Sequence, residues 1–331
     1  MIQKFEEKGY KIVNSEEEAD IYIINTCTVT NMSDRKSRQM LRRAHELNKD
    51  AIIVAVGCYA DVAKEELSKI KEINLILGNS EKKNIVYHVE NYINHNDVNI
   101  ESSEEYNEFG CITYTERTRA TIKVQDGCNN FCTYCIIPYA RGRIKSRKKE
   151  SILEEIEKIA EKGIKEVVIT GIHIASYGKD FDNNYRLIDL LEDINKIEGI
   201  ERIRIGSLEP TIINEEFCDR IKKLNKLCHH FHLSLQSGCN GTLKRMNRKY
   251  STEEFEKVVE LLRETYNDVM LTTDIIVGFP GETDEEFNIT YNFLEKIKFY
   301  KMHVFKYSIR KGTVASKMDN QVSNEIKFYN W

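Results

Sequence analysis

The stretch ATIKVQDGCNNFCTYCIIPYARGR (Ala120–Arg143) decides how this chain is read. It begins as an apolar, β-rich run that stops at Gly127, then places Cys128, Cys132 and Cys135 within eight positions and supplies no fourth cysteine nearby. The alternation that follows is regular. Strand candidates are EVVITG from Glu166, RIRIGS from Arg202, HFHLSLQSG from His230, MLTTDIIVG from Met270 and KMHVFKYS from Lys301. Between them, SILEEIEKIAEKG puts Ile152, Leu153, Ile156, Ile159 and Ala160 on one helical face, with Gly163 as the stop. STEE (Ser251–Glu254) and TDEE (Thr283–Glu286) are capping boxes at helix starts. Six strand and helix pairs predict a partial (β/α) barrel of the TIM type, since closure needs eight. Such a barrel carries its chemistry in the loops after its strands, and the cysteine triplet sits directly after the first.

Working outward, the first ninety residues form a second α/β pattern. ADIYIINTC (Ala19–Cys27), AIIVAVGC (Ala51–Cys58) and INLILGN (Ile73–Asn79) are apolar, and NMSDRKSRQMLRRAHELN (Asn31–Asn48) has helical composition. Strands separated by a helix imply a parallel sheet with right-handed crossovers. Cys27 and Cys58 each end a strand, so both fall on the carboxyl edge, where α/β folds hold ligands. The expected plan is an N-terminal domain over 1–90, a polar, acidic linker over 91–118 and the barrel over 119–331.

Composition narrows the function classes. With 331 residues and 41% hydrophobic content, the chain can bury two ordinary cores. It shows no run of eighteen apolar residues and no signal-peptide order at MIQKFEEKGYKIV, so the reading is cytoplasmic with no membrane partner. Nine cysteines in such a chain point to metal ligands or catalysts, not a disulfide framework. A net charge of −4 excludes a globally basic nucleic-acid binder but leaves room for a local basic face.

A [4Fe-4S] cube normally takes four thiolates, so three from one loop leave one iron open to a small chelating ligand. The rival readings are a zinc knuckle and an electron carrier, and both want a fourth ligand. Cys-x3-Cys-x2-Cys after the first barrel strand, with Tyr134 before the last cysteine, resembles the radical S-adenosylmethionine enzymes. That resemblance implies that the open iron binds S-adenosylmethionine and that an electron, from a donor the sequence does not identify, cleaves it to a 5′-deoxyadenosyl radical.

NTCTVTN (Asn25–Asn31), GCYA (Gly57–Ala60), TGIHIASYG (Thr170–Gly178), SLEP (Ser207–Pro210), SLQSG (Ser234–Gly238), DIIVGFPGET (Asp274–Thr283) and YSIRKGTVA (Tyr307–Ala315) extend the resemblance over nearly the whole chain, to the methylthiotransferases. TCTVTNMSDRKSRQ is most similar to the branch that converts N6-threonylcarbamoyladenosine beside the tRNA anticodon to its 2-methylthio derivative. The isopentenyladenosine branch, the ribosomal-protein branch and a non-catalytic iron–sulfur carrier are the alternatives. The resemblance implies tRNA as partner and two [4Fe-4S] clusters as cofactors, the second bearing the inserted sulfur on three cysteines, with Cys27 and Cys58 among them. It also implies two molecules of S-adenosylmethionine, one for the radical and one for the methyl group.

Two departures accompany it. The family's first cysteine loop is not in this sequence, and no room follows the barrel for the small RNA-gripping β-barrel known as TRAM. The expectation is a chain truncated at both ends, or a substitute third ligand such as Cys111. Among other residues, Gly171 and GFPGE (Gly278–Glu282) suit close approach to a nucleotide or an ordinary tight turn. Glu209, Gln236 and Ser237 follow strands and are candidates, beside Tyr134, for contacts to S-adenosylmethionine. Arg141 and Arg143, in the basic run RGRIKSRKK, are candidates for RNA phosphates. Arg35, Lys36, Arg38, Arg42 and Arg43 offer either an RNA face or a solvated one. His173, His230 and His232, without a carboxylate or cysteine at ligand spacing, read as structural, as do Cys218, Cys228 and Cys239.

Overall fold

The two alternating patterns fold as two units in the computed structural model, which describes residues 1–95 and 118–331. One unit is Met1–Tyr114 with Ile136–Gly142, and the other is Thr115–Cys135 with Arg143–Trp331. Cys111 and most of the expected linker lie outside the described residues.

The first unit runs α1 (Ile2–Glu6), β1 (Ile21–Thr26), α2 (Asn31–Leu47), β2 (Ile52–Gly57), α3 (Cys58–Val62), α4 (Lys64–Leu67), β3 (Leu75–Leu77) and α5 (Ile85–Ile93), with α6 (Ile137–Arg141) joining it from beyond the cysteine triplet. Its sheet is parallel in the order β1-β2-β3. β2 is covered on both faces, with Ile53 and Ala55 packing under Leu41, Tyr59 and Leu67, and Val54 and Val56 packing with Phe5, Leu77, Ile85 and Val89. That double burial is why its sequence is a continuous apolar run instead of an alternation. The register pairs Thr26 with Gly57, so Cys27 and Cys58 leave adjacent strands at the same edge. Only glycine fits at position 57: its φ is 121°, and an added Cβ would lie 2.5 Å from the Thr26 carbonyl oxygen.

Two boundaries differ from expectation. α5 carries the N-terminal unit past residue 90 to Ile93, because Tyr92 packs against the same core as Ile85, Val86 and Val89. Residues 136–142 pack with that unit although the sequence runs them inside the barrel.

The second unit runs β4 (Arg119–Asp126), β5 (Lys145–Ser146), α7 (Lys149–Glu161), β6 (Glu166–Gly171), α8 (Leu187–Lys196), β7 (Arg202–Ile205), α9 (Glu215–Ile221), β8 (His230–Gln236), α10 (Asn240–Arg245), α11 (Thr252–Thr265), β9 (Met270–Val277), α12 (Asp284–Ile297), β10 (Lys301–Lys306) and α13 (Asn324–Tyr329). β4, β6 and β7 pair in parallel, as do β8, β9 and β10, and parallel bridges at Ile203–Leu227 and Leu208–Leu233 join the two sets. The result is an arc of six parallel strands, the partial TIM-type barrel expected. Ile152, Ile156 and Ile159 of α7 are buried, and both capping boxes form. β5 was not foreseen: it pairs antiparallel with Gln125–Asp126. Arg147, next to it in the basic run, is buried in an ion pair with Glu155. That part of RGRIKSRKK is structural because it closes the β4 edge. No helix among the described residues is long and apolar enough to cross a membrane.

Candidate active site

The cysteine loop is fixed at both ends, by side chains at the end of β4 and by the turn after α10. Asp126 Oδ1 accepts the Gly127 N–H at 2.8 Å, turning the chain where Gly127 has φ 68°. The buried Gln125 amide donates to the Gly127 carbonyl at 2.8 Å and accepts the His173 N–H at 2.7 Å. Further on, the Asn247 amide donates to the Asn130 and Phe131 carbonyls at 3.2 and 3.0 Å. Thr133 donates through its N–H to Met246 O at 3.1 Å and through its hydroxyl to Arg245 O at 2.8 Å, and its carbonyl accepts the Ala315 N–H at 2.8 Å. Held this way, the loop keeps Cys128, Cys132 and Cys135 half-buried at the carboxyl end of β4.

Charge around the loop centres on Arg248, whose side chain is 7% exposed. Its Nη1 donates to Cys132 Sγ at 3.3 Å, its Nη2 to the Ser234 carbonyl at 3.1 Å and its Nε to the Tyr250 hydroxyl at 3.0 Å. Nη2 also lies 3.2 Å from Glu209 Oε1. The other oxygen of Glu209 accepts from Asn130 Nδ2 at 2.8 Å and from His173 Nε2. Burial pushes the Glu209 carboxyl up, but the His173 hydrogen bond, the Arg248 charge and Asn130 together outweigh it and hold the pKa at about 2. Oε1 is buried and faces Arg248 as an ion pair, with no hydrogen bond that meets ordinary geometry. Burial raises the Cys128 thiol, opposed by the Asn130 N–H, and raises the Tyr134 phenol, reinforced by Cys132. Tyr134 packs edge-on to Phe279, centroids 6.3 Å apart.

The expected contacts are only partly brought together. Glu209 reaches the loop through Asn130, and Tyr134 is part of the loop itself. Gln236 ends β8 at φ 70°, after a register shift that begins at Leu233. Ser237 does not reach the mouth: it is fully buried, its hydroxyl 3.2 Å from Thr290 Oγ1 and accepting the Cys239 N–H. Gly171 is needed for packing inside the protein, since a Cβ there would fall 2.8 Å from Ile174 Cγ2 and 2.9 Å from Gln125 O. Gly278 is the tight-turn alternative: its N–H is taken by the Glu282 carboxylate, and the Lys327 side chain fills the space beside it. His173 is corrected from a structural residue to a member of the site through Glu209. His232, too, has a carboxylate, Asp274 at 3.3 Å. Cys218 and Cys239 are buried as expected, and Cys228 is partly exposed.

Arg248 was missed. In RMNRKY it looks no different from its exposed neighbour Lys249, and only the fold buries it. Arg143 lies over the Phe131 ring at 4.7 Å, whereas the Arg141 Nε donates to Cys58 Sγ at 3.2 Å. On α2, Arg38 is tied to Tyr59 and Glu66 and Arg43 to Glu16, while Arg35, Lys36 and Arg42 are exposed.

The chemistry of the donor set fits a cube better than one ion. Among the described residues, no three His, Cys, Asp or Glu side chains converge to hold a single metal. A cube spreads its irons over separate corners and takes one thiolate at each, so thiols spaced along a loop suit it.

Residues 122–294 match the model of the Radical SAM superfamily, and residues 1–78 that of Uncharacterized protein family UPF0004. The chain is 42% identical to the threonylcarbamoyladenosine tRNA methylthiotransferase MtaB of Bacillus subtilis, over 98% of this chain and 73% of that protein. Against the MtaB of Aquifex aeolicus it is 44% identical, over 98% and 80%. The tRNA-2-methylthio-N(6)-dimethylallyladenosine synthase of Thermoanaerobacter pseudethanolicus is 38% identical, over 97% and 70%. In fold, the chain is similar to the radical S-adenosylmethionine methyltransferase TsrM of Kitasatospora setae, with a TM-score of 0.64 at 18% identity, over 88% of this chain and 62% of that one. With a superfamily match across most of the barrel and these relatives along nearly its whole length, the chain belongs to the radical SAM superfamily and, within it, to the tRNA methylthiotransferases.

Proposed function

We propose that the chain converts N6-threonylcarbamoyladenosine beside the tRNA anticodon to its 2-methylthio derivative. The observation that carries this reading is identity of 40–44% to MtaB proteins over nearly the whole chain, joined to a three-cysteine loop with no fourth thiol. Bound to Cys128, Cys132 and Cys135, a [4Fe-4S] cluster supplies an open iron for S-adenosylmethionine and the electron that cleaves it to a radical able to take hydrogen from adenine. The residues of the chain do the rest. Asn247, Thr133 and Gln125 hold the loop to one geometry. Arg248 offsets thiolate charge at Cys132 and keeps Glu209 ionised, and Glu209 Oε1 suits a ribose hydroxyl or the methionine ammonium of S-adenosylmethionine. Cys27 and Cys58 would supply two of the three thiolates that a second, sulfur-bearing cluster takes. Exposed Arg35 and Arg42, with Arg143, suit tRNA phosphates. The setting is the cytoplasm, with a low-potential electron donor.

The test is anaerobic incubation with S-adenosylmethionine and dithionite. The reading predicts 5′-deoxyadenosine from the native chain and none from the Cys128→Ala/Cys132→Ala/Cys135→Ala variant. Equal amounts, or none from either, would reduce the triplet to a structural or electron-carrying site.

A further inference from the structure

Along β8 and β9 successive side chains point to opposite faces. Phe231 and Leu233 of β8 and Leu271 and Ile275 of β9 pack into the core under the helices. His230, His232, Thr272 and Asp274 therefore line the concave face of the arc, joined from β10 by His303, which the register pairs with Asp274. These side chains are bound to one another. His232 Nε2 lies 3.3 Å from Asp274 Oδ2, and its Nδ1 lies 3.0 Å from the Thr272 hydroxyl, which is also 3.2 Å from His230 Nε2. With both imidazoles neutral, one arrangement of protons satisfies all three contacts: His232 Nε2–H donates to the carboxylate, the Thr272 hydroxyl to His232 Nδ1, and His230 Nε2–H to Thr272. The chain of bonds is closed in its middle, where Thr272 is buried, and open at Asp274. That carboxylate is partly exposed, and its Oδ1 has no partner among the described residues. The exposed His303 ring, its centroid 6.2 Å from that of His232, makes no hydrogen bond among them either.

The cluster lies one step below the candidate active site. Ser234, next on the His232 face about 7 Å along the strand, gives its carbonyl to Arg248. The His232 carbonyl accepts the Leu208 N–H at 2.8 Å, and Glu209 follows Leu208. At the other end of the face Arg119, Arg202 and Arg204 share a single carboxylate, Glu166, which leaves a surplus of positive charge there. Burial and then the Arg204 charge lower the pKa of His230. We propose that His232, Asp274 and His303 hold the N6-threonylcarbamoyl group of the substrate adenosine and so set the choice between modified tRNAs. The inference rests on the substrate read above. With C2 of the adenine at the radical, C6 and its substituent lie beyond N1, and the substituent can extend down the face. The ureido N–H suits Asp274 Oδ1, and the threonyl carboxylate suits the His303 N–H and the positive end of the face. An isopentenyl group would leave these polar groups covered and unpaired, which is how a hydrogen-bonding pocket rejects an apolar analogue.

The experiment measures, by fluorescence anisotropy, the affinity of the full chain for three anticodon stem-loop RNAs that differ only at the target base: N6-threonylcarbamoyladenosine, isopentenyladenosine and unmodified adenosine. The native chain should bind the first about tenfold more tightly than either of the others. Asp274→Asn turns an acceptor into a donor toward the ligand, because His232 keeps the amide oxygen. His303→Ala removes an exposed ring that no hydrogen bond ties to the described fold. Each should cut the preference by about threefold, and the double variant should abolish it, with affinity for the unmodified RNA unchanged. A preference that survives in the variants, or an equal loss of affinity for all three RNAs, would overturn the proposal. A native chain with no preference for the threonylcarbamoyl RNA would strike the substrate reading and this inference with it, so the two failures are distinguishable.

Discussion

Arg248 and Glu209 join the cysteine loop to the strands behind it. Their pairing is buried, so removing one partner leaves an uncompensated charge. Arg248→Ala should therefore cost about 3 kcal/mol in urea unfolding of the metal-free protein. Arg248→Lys should recover only part of this, because a lysine cannot reach Cys132, Ser234, Tyr250 and Glu209 from one planar fork. Glu282 gives a pH signature. Burial, opposed by the Gly278 N–H, raises its carboxyl to about 7. The folded state thus binds a proton that the unfolded state, at an ordinary 4.5, releases, and stability falls as pH rises from about 4.5 to about 7. Glu282→Gln, which still offers an acceptor to Gly278, should be more stable than the native chain at pH 8, by roughly 1–3 kcal/mol, and should lose that advantage near pH 4. Thermal melts at both pH values check the sign.

At the scale of elements, the loop is held chiefly by the turn after α10. Asn247 sits at φ 60°, which asparagine tolerates and glycine accepts freely. Asn247→Gly should preserve folding to within about 1 kcal/mol while deleting both hydrogen bonds to the loop. Faster loss of iron from the reconstituted protein under a chelator is the expected result, and an unchanged rate would mean that the loop is held without them. The capping boxes offer a control away from the site. Ser251→Ala should lower stability by about 1 kcal/mol with no effect on iron retention. These helices were legible because caps and periodicity are local signals. β5 was not, since two residues carry no period, and α6 was placed with the barrel because its packing onto the first unit leaves no mark on the spacing.

For the whole molecule, the sequence reading reached the fold class and the cysteine triplet because a strand and its loop are contiguous. The rest of the site is assembled from residues far apart in sequence. His173 and Glu209 meet across 36 positions and Arg248 and Cys132 across 116, so one was read as structural and the other was not noticed. Ser237 failed for a related reason: sharing a strand end does not set which way a side chain faces, and the shifted register leaves it buried beside α12. The account's central claim is the product, and the most direct measurement is nucleoside mass spectrometry after reaction of the reconstituted chain with S-adenosylmethionine and reductant. Two tRNAs should be compared, one bearing N6-threonylcarbamoyladenosine and one bearing isopentenyladenosine. The account predicts a methylthio mass increase on the first and none on the second. Methylthiolation of the second alone, or of neither while 5′-deoxyadenosine accumulates, would contradict it.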